Sequence, residues 1–319
     1  MPFQLHAPTA YAFSKVALTL LNSRIDEGVK PNLHMPIAYK RLSQNGLMYF
    51  HTSGIAVSPV IPFGAAFVVS FLTSMVGISG AFLLVPFQIS VLGITSLSVS
   101  ATNLVFNLVS TPGGIWRFAR DGRLDVRLGL LIAAGTLPGL FIGWWVRTHW
   151  LFDPHSFRLF VGGVLSLLAV RMLLPQRAGR RHVVSPRFTE KTVSTVAALA
   201  LVVGVIGGTY GIGGGALMAP VLVGFLGLRI PAVAGATLLA TFITSIAGVS
   251  IYSLLPGPDG AQSSPDWPLG LLLGLGGLVG TYIGAFAQKY LPEGMLRVGL
   301  ALLIAVLSLT YFLQSLLAR

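Results

Sequence analysis

The chain has 319 residues, of which 54% are hydrophobic and only 9% are charged, and its mean hydropathy is +0.81. A soluble domain carries roughly 25% charged residues. No Lys, Arg, Asp or Glu lies between Leu42 and Trp116, and Arg229 is the single charge between Thr192 and Pro258. Such a sequence excludes a cytosolic enzyme, a nucleic-acid-binding protein and a secreted domain. It predicts an all-α polytopic membrane protein.

The net charge of +12 has a simple explanation in a membrane protein, because Lys and Arg accumulate in cytoplasmic loops. It therefore requires no nucleic-acid partner. The chain has no cysteine, and its six histidines lie in the N-terminal extension or in loops, so we predict no metal site and no cofactor. An outer-membrane barrel is excluded because its strands alternate apolar and polar residues, whereas these apolar runs are long.

Residues 1–57 differ from the rest, because they hold five basic residues and no apolar run that could span a bilayer. We expect a disordered or surface-lying extension, or a wrongly assigned start with translation beginning at Met48. The remaining chain divides into a first transmembrane repeat (58–174), a basic cytoplasmic linker (175–191) and a second transmembrane repeat (192–317).

Ten apolar segments follow the extension. They are Pro62–Val76, Ala81–Leu92, Val99–Trp116, Leu128–Val146, Phe157–Leu174, Val193–Tyr210, Ala216–Leu226, Val233–Leu254, Leu269–Ala287 and Met295–Leu317. A spanning helix needs about 20 residues. The two segments on either side of each glycine cluster, Gly77–Gly80 and Gly211–Gly215, are shorter than that. These pairs predict half-helices or re-entrant hairpins.

The two halves repeat one another. Gly77–Pro86 aligns with Gly211–Pro220 at an offset of 134 residues. Later glycines repeat at an offset of 141: Gly135, Gly139 and Gly143 match Gly276, Gly280 and Gly284. The loop after the third segment of the first half holds four arginines, whereas its counterpart, Pro256–Trp267, holds two aspartates and no basic residue. By the positive-inside rule these loops lie on opposite sides of the membrane, which predicts inverted topology.

The same rule orients the chain as a multi-pass protein of the bacterial inner membrane. Outside the extension, thirteen basic residues are cytoplasmic and three (Arg147, Arg158 and Arg319) are not. The five basic residues of the extension conflict with this orientation, and a wrongly assigned start would remove the conflict. Inverted repeats with glycine-interrupted segments are typical of secondary transporters, which alternate access by rocking one half against the other.

The two glycine clusters are the first candidate substrate site. A helix that begins just after Gly80 or Gly215 aims free N–H groups, and about half a positive elementary charge, at its start. Two such ends bind an anion without any buried Arg or Lys. The alternative is close helix packing through glycine. The candidate substrate-binding residues of the clusters are Gly77, Ser79, Gly80, Gly211, Gly213, Gly214 and Gly215.

Uncharged polar residues within the predicted spans are the second group of candidates. Asn103, Asn107 and Thr111 match Thr237, Thr241 and Ser245 at the offset of 134, and Gln88 lies nearby in the chain. Of these we predict that Gln88, Asn103, Asn107, Thr237 and Thr241 bind substrate. The alternative role is interhelical hydrogen bonding worth about 0.6 kcal/mol for each bond. No Asp or Glu lies within a predicted span, which argues against a transporter of metal ions or amines.

Gly77-Ile78-Ser79-Gly80 also has the G-x-S-G form found around the nucleophile of rhomboid-type intramembrane serine proteases. Such a serine needs a basic partner, and no predicted span contains histidine or lysine. The alternatives to a transporter of small anions are therefore a transporter or channel for another small solute, a non-transporting membrane scaffold, and, least favoured, a protease at Ser79.

Each half opens with Gly-Ile-(Ser/Gly)-Gly-(Ala/Gly)-x-x-x-x-Pro, and in this the chain resembles the TauE/SafE family of sulfite and organosulfonate exporters, the four-toluene sulfonate uptake permeases. The resemblance covers about 58–317. It implies a permease, not an enzyme, whose partners are the lipid bilayer and a small sulfur-containing or related organic anion such as sulfite or a sulfonate. Ser79 and Ala81 replace two glycines of the second-half motif.

Overall fold

The structure is a computed structural model that describes residues 46–173 except 76, 95 and 152, residues 190–255 except 227 and 229, residues 263–290, and isolated positions between 292 and 309. The extension up to residue 45, nearly all of the predicted linker and most of the last apolar segment, Met295–Leu317, lie outside the described residues. The domain boundaries predicted in those regions stay predictions.

A short β-hairpin precedes the helices. Strand β1 (Met48–Phe50) pairs antiparallel with β2 (Ile55–Val57). The side chain of Phe50 is buried, and the backbone N–H of Ser53 donates to Asp266 Oδ2 at 2.9 Å. Residues 46–57, which the sequence analysis placed in a disordered or surface-lying extension, are therefore folded against the helices.

Nine helices follow within the described residues. They are α1 (Val60–Ser74), α2 (Ala81–Ser90), α3 (Ser98–Arg120), α4 (Val126–His149), α5 (Pro154–Leu173), α6 (Glu190–Tyr210), α7 (Gly214–Leu226), α8 (Ile230–Leu254) and α9 (Trp267–Ala287). A 3-10 turn, Gln288–Tyr290, continues α9. Four of these helices, α4, α6, α8 and α9, are long and apolar enough to cross a membrane. The prediction of an all-α polytopic membrane protein is confirmed.

The helices beside the glycine clusters differ in length. Helix α1 has 15 residues, α2 has 10 and α7 has 13, as expected for short segments. Helix α6 has 21 residues, because it begins at Glu190 rather than Val193. The prediction of two undersized segments beside each cluster is therefore wrong for the second half, where a full-length helix precedes a short one.

Helices α3 and α8, the third helices of the two halves, cross each other antiparallel. A Cβ added to Gly114 would press on Leu238, and one added to Gly248 would press on Leu104. The offset of 134 converts 114 into 248 and 104 into 238, so the same contact occurs twice. Equivalent helices that run in opposite directions are the signature of inverted repeats.

The glycine repeats of α4 and α9 lie at the interface between the halves. A Cβ on Gly139 would overlap the carbonyl of Leu201 in α6, and one on Gly280 would overlap the carbonyl of Phe67 in α1. The fourth helix of each half thus packs against the first helix of the other half. Small residues allow the two backbones to approach closely, so the halves are interlocked.

Both fourth helices begin with the same cap. The carboxylate of Asp125 accepts from the Leu128 N–H at 2.9 Å, and that of Asp266 accepts from the Leu269 N–H at 3.1 Å. An Asp N-cap satisfies one of the N–H groups that a helix start leaves without a partner. The two caps are 141 residues apart, the offset of the glycine repeat.

Candidate functional site

Both glycine clusters are interruptions between two helices. The first break joins α1 to α2, and the second joins α6 to α7. Gly77, Gly211 and Gly213 have φ angles of +74°, +77° and +71°. Residues with a side chain disfavour this left-handed region, so the chain needs glycine to reverse there. The breaks lie where the sequence analysis predicted them.

Each break rests on the third helix of the other half. A Cβ on Gly77 would overlap Ala234 in α8, and a Cβ on Gly211 would overlap Ser100 in α3. The offset of 134 relates the two contacts to each other. The two contacts lie near opposite ends of the antiparallel α3–α8 pair. The breaks come together between these ends, at the side chains of Asn103 and Asn107.

Asn103 on α3 joins the two breaks directly. Its Nδ2 donates to the carbonyl of Ala81, at the start of α2, and to the carbonyl of Gly211, each at 2.9 Å. The counterpart on α8, Thr237, donates from Oγ1 to the carbonyl of Gly77 at 3.0 Å. Both residues were predicted to bind substrate. In this conformation each of them braces the break of the opposite half.

Asn107, one turn further along α3, makes a second bridge. Its Nδ2 donates to the carbonyl of Ile212 at 2.8 Å, and its Oδ1 accepts a short hydrogen bond from Ser79 Oγ. The counterpart Thr241 donates instead to the carbonyl of Thr237 within α8, at 2.8 Å. The carboxamide group of Asn107 therefore lies between Ser79 of the first break and Ile212 of the second. The Ser79 hydroxyl contacts an amide oxygen rather than a general base, which leaves the protease interpretation without support.

The remaining glycines of the clusters are closely packed. A Cβ on Gly80 would come within 2.8 Å of Ser70 Oγ, and a Cβ on Gly215 would come within 2.5 Å of the Thr241 backbone nitrogen. A Cβ on Gly214 would overlap Thr136 of α4. These three glycines therefore allow close helix packing. Close packing of their Cα atoms is compatible with backbone N–H groups that face the site.

Several polar groups around the breaks have no partner among the described residues. The amides of Ser79, Gly80, Gly213 and Gly214 make no hydrogen bond to the described part of the chain. Two buried side-chain oxygens near the site, Gln88 Oε1 and Ser245 Oγ, have none either. Free N–H groups at helix starts bind anions, and an unpaired buried polar atom indicates a missing water or ligand.

The site is closed to solvent in this conformation. The side chains of Ser79, Gln88, Asn103, Asn107, Thr237 and Thr241 are each 0% exposed. Gln88 lies at the edge of the group, with Nε2 at 3.5 Å from Asn103 Oδ1. All the predicted polar residues are thus brought together, and a solute can reach them only if the helices around the breaks move apart.

The structure adds one charged residue that the sequence analysis missed. The predicted fourth span ended at Val146, but α4 continues to His149, and the side chain of Arg147 is only 1% exposed. Its Nε donates to Ser100 Oγ at 3.3 Å, and Ser100 contacts the second break. The sequence analysis expected an anion site without any buried Arg or Lys, and Arg147 is a buried arginine one side chain away from the second break. The sequence did contain a signal for this residue, because Arg147 directly follows the apolar segment Leu128–Val146. Its partner Ser100 lies one helical turn before Asn103 on α3.

Comparison with known proteins agrees with this architecture. The family described as "Sulfite exporter TauE/SafE" matches residues 62–311. "Probable membrane transporter protein YunE" of Bacillus subtilis (strain 168) is 26% identical over 68% of this chain and 83% of its own length. YdhB of the same strain is 23% identical over 67% and 83%, and a "Probable membrane transporter protein" of Xylella fastidiosa (strain 9a5c) is 25% identical over 71% and 84%. No solved structure matches the chain.

Proposed function

Because the chain belongs to the TauE/SafE family of membrane transporters, we propose that it is a secondary transporter for small sulfur-containing or related organic anions such as sulfite or sulfonates. It is a multi-pass membrane protein. The four arginines in and beside the α3–α4 loop favour the bacterial inner membrane with that loop in the cytoplasm. The transported anion and the alternating-access mechanism are the proposed part.

One observation carries the proposal: the two breaks, one from each inverted half, lie on either side of the Asn103 and Asn107 side chains. Around them are backbone N–H groups and uncharged oxygens. No described carboxylate forms a hydrogen bond to Asn103 or Asn107. Backbone N–H groups at helix starts attract negative charge, so this neutral centre suits an anion better than a cation.

The interlocked halves support alternating access. Helix α1 packs on α9 and the first break packs on α8, whereas α6 packs on α4 and the second break packs on α3. Each break therefore contacts the other half, so a rocking movement of one half against the other changes the surroundings of both breaks. The enclosed conformation described above corresponds to the occluded state between the two open states.

Purified protein in detergent provides the first test. We expect sulfite, taurine or sulfoacetate to raise the melting temperature, since a ligand at 100 times its Kd stabilises the folded state by about 2.7 kcal/mol. Methanesulfonamide, an uncharged sulfur compound, should leave it unchanged at the same ionic strength. Uptake of the stabilising anion into proteoliposomes is then expected, and stabilisation by the uncharged compound alone would reject an anion site.

Two glycines with nearly equal backbone angles allow a matched test of the site. Gly213 has φ +71° and Gly93 has φ +72°, but a Cβ on Gly213 would lie 3.1 Å from the hydroxyls of Thr244 and Ser245, whereas one on Gly93 meets nothing within 4 Å. Both alanine variants carry the left-handed strain of about 1–2 kcal/mol. We expect Gly213→Ala to reduce anion flux at least roughly tenfold, and Gly93→Ala to keep the wild-type flux.

Flux is normalised to the amount of folded protein in the vesicles, so that a difference in stability is not read as a difference in transport. Equal normalised flux in the Gly213→Ala and Gly93→Ala proteins would remove the second break from the substrate site.

A further inference from the structure

Arg147 is a buried cation with no carboxylate beside it in the described part of the chain. Besides Ser100 Oγ, its guanidinium donates from Nη1 to the carbonyl of Leu151, and its central carbon lies 3.7 Å from the centre of the Phe157 ring. Removing a charge from water costs several kcal/mol unless an opposite charge compensates. Ionisable residues buried within membrane bundles therefore mark functional sites.

The twofold counterpart of Arg147 has a different character. The offset of 141 leads to Gln288, which is neutral and donates from Nε2 to the carbonyl of Met75 at 2.8 Å. Its Oε1 accepts from Arg123, and Arg123 is paired with Asp121 at 2.7 Å. The hydrogen bond from Arg123 holds the pKa of the Asp121 carboxyl below its usual value. Arg123, beside the counterpart position Gln288, is thus paired with the Asp121 carboxylate. Arg147 has no such carboxylate among the described residues.

Arg147 is one side chain away from the second break. The Ser100 hydroxyl that accepts from its Nε also donates to the carbonyl of Thr209 at 3.4 Å, and Gly211 packs against the Ser100 backbone. The Tyr252 hydroxyl donates to the carbonyl of Gly208 in the last turn of α6 at 3.0 Å. Ser100 therefore links the guanidinium to the turn where α6 ends and α7 begins.

We propose that Arg147 binds the transported anion directly, as the counter-charge that the described protein lacks at this point. This inference rests on the proposed function and deepens it. A guanidinium presents paired N–H groups that match two oxygens of one anion. The substrate class is therefore an oxyanion with at least two oxygens on one centre, such as sulfite, a sulfonate or a carboxylate, rather than a halide. The anion displaces the Ser100 hydroxyl from Nε and reaches the N–H groups of the second break.

The competing role of Arg147 is structural. Its bond to the Leu151 carbonyl caps the end of α4, where a positive charge is favourable. A lysine fulfils that role nearly as well, because the cap needs a positive donor but not a planar fork. Binding of two anion oxygens needs the fork, so the two roles predict different results for the lysine variant.

The test measures the Kd of sulfite by calorimetry, together with the melting temperature without ligand, for wild type, Arg147→Lys, Arg147→Gln and the exposed control Arg120→Gln. We expect Arg147→Gln to weaken binding roughly 30-fold and Arg147→Lys about tenfold, as for loss of charged hydrogen bonds. Arg120→Gln should bind as wild type. An Arg147→Lys protein with the wild-type Kd would assign Arg147 to capping and overturn the proposal.

A second variant covers the case in which Arg147→Gln does not fold. Ser100→Asp supplies an internal carboxylate to the guanidinium, and Ser100→Asn is its neutral control of the same size. We expect Ser100→Asp to melt higher than Ser100→Asn and to lose sulfite binding at least roughly tenfold relative to it. Equal sulfite Kd values for the two variants would overturn the role of Arg147. Wild-type protein that binds no anion at all would instead reject the proposed function.

Discussion

Asn103→Leu is expected to abolish transport and to lower the free energy of unfolding by about 2–5 kcal/mol. The side chain donates to two buried carbonyls, those of Ala81 and Gly211, and leucine, which has the same branching but no polar atom, leaves both without a donor. An unpaired buried acceptor costs about 1–3 kcal/mol. Chemical denaturation in detergent measures the stability change, and flux in proteoliposomes measures the transport change.

A milder variant tests whether the hydrogen bonds of Asn103 to the two breaks, rather than the mere burial of a polar side chain, account for the effect. Asn103→Thr copies the residue that the repeat uses at the equivalent position, where Thr237 donates to one carbonyl. We expect it to keep one of the two bonds and to fall between wild type and Asn103→Leu in both stability and flux. Ser250→Ala is the control, because that hydroxyl bonds to Ile246 on the exposed face of α8 and its loss should change stability by less than about 0.5 kcal/mol.

The role of Asn103 would be contradicted by an Asn103→Leu protein that transports at the wild-type rate per folded molecule. Such a result would mean that the breaks are held together by helix packing alone. If the Asn103→Leu protein lost flux but kept the wild-type stability, Asn103 would be assigned to substrate binding rather than to holding the breaks.

The repeat pattern identified polar residues that contact the two breaks, because it depends on spacing alone. The offset of 134 pairs Asn103 with Thr237, and the structure has each of them donating to the glycine break of the opposite half. Inverted topology followed from the charges of two equivalent loops, and the antiparallel crossing of α3 and α8 confirms it. These features come from local patterns that occur twice in the chain, and such repeats are visible in a single sequence.

Features that depend on contacts between the halves were not predictable in the same way. The sequence does not tell that Asn107 reaches Ile212 whereas Thr241 bonds within its own helix, because this difference comes from side-chain length across a particular gap. Arg147 was missed because segments were ended at the first charge. Its burial depends on α5 turning back, so that Phe157 covers the guanidinium.

The ends of the elements were also set by contacts that hydropathy does not report. The hairpin at residues 48–57 is held by Phe50 burial and by the bond from Ser53 to Asp266, more than 200 residues away in the chain. The described part of α6 includes Glu190 in its first turn, three residues before the start of the predicted segment. An apolar window starts later, at Val193, and so underestimates the helix.

Gly139→Leu and Gly280→Leu are expected to prevent folding, whereas Gly163→Leu is expected to be tolerated. At Gly139 a Cβ would overlap the backbone carbonyl of Leu201 and lie 2.7 Å from the backbone nitrogen of Val205, and backbone atoms cannot move aside as a flexible side chain does. A Cβ at Gly163 meets nothing within 4 Å. Overpacking by one or two carbons already costs about 1–3 kcal/mol, and leucine adds four carbons.

The measurement is the yield and melting temperature of detergent-solubilised protein by fluorescence-detected size exclusion, with Gly139→Ala and Gly280→Ala as milder variants. Because the α4–α6 and α9–α1 contacts are related by the inverted repeat, the two alanine variants should lose similar stability, within about 1 kcal/mol of each other. A monodisperse Gly139→Leu protein that melts like Gly163→Leu would show that the interface between the halves tolerates separation. The interlocked arrangement, and the occluded state that depends on it, would then be wrong.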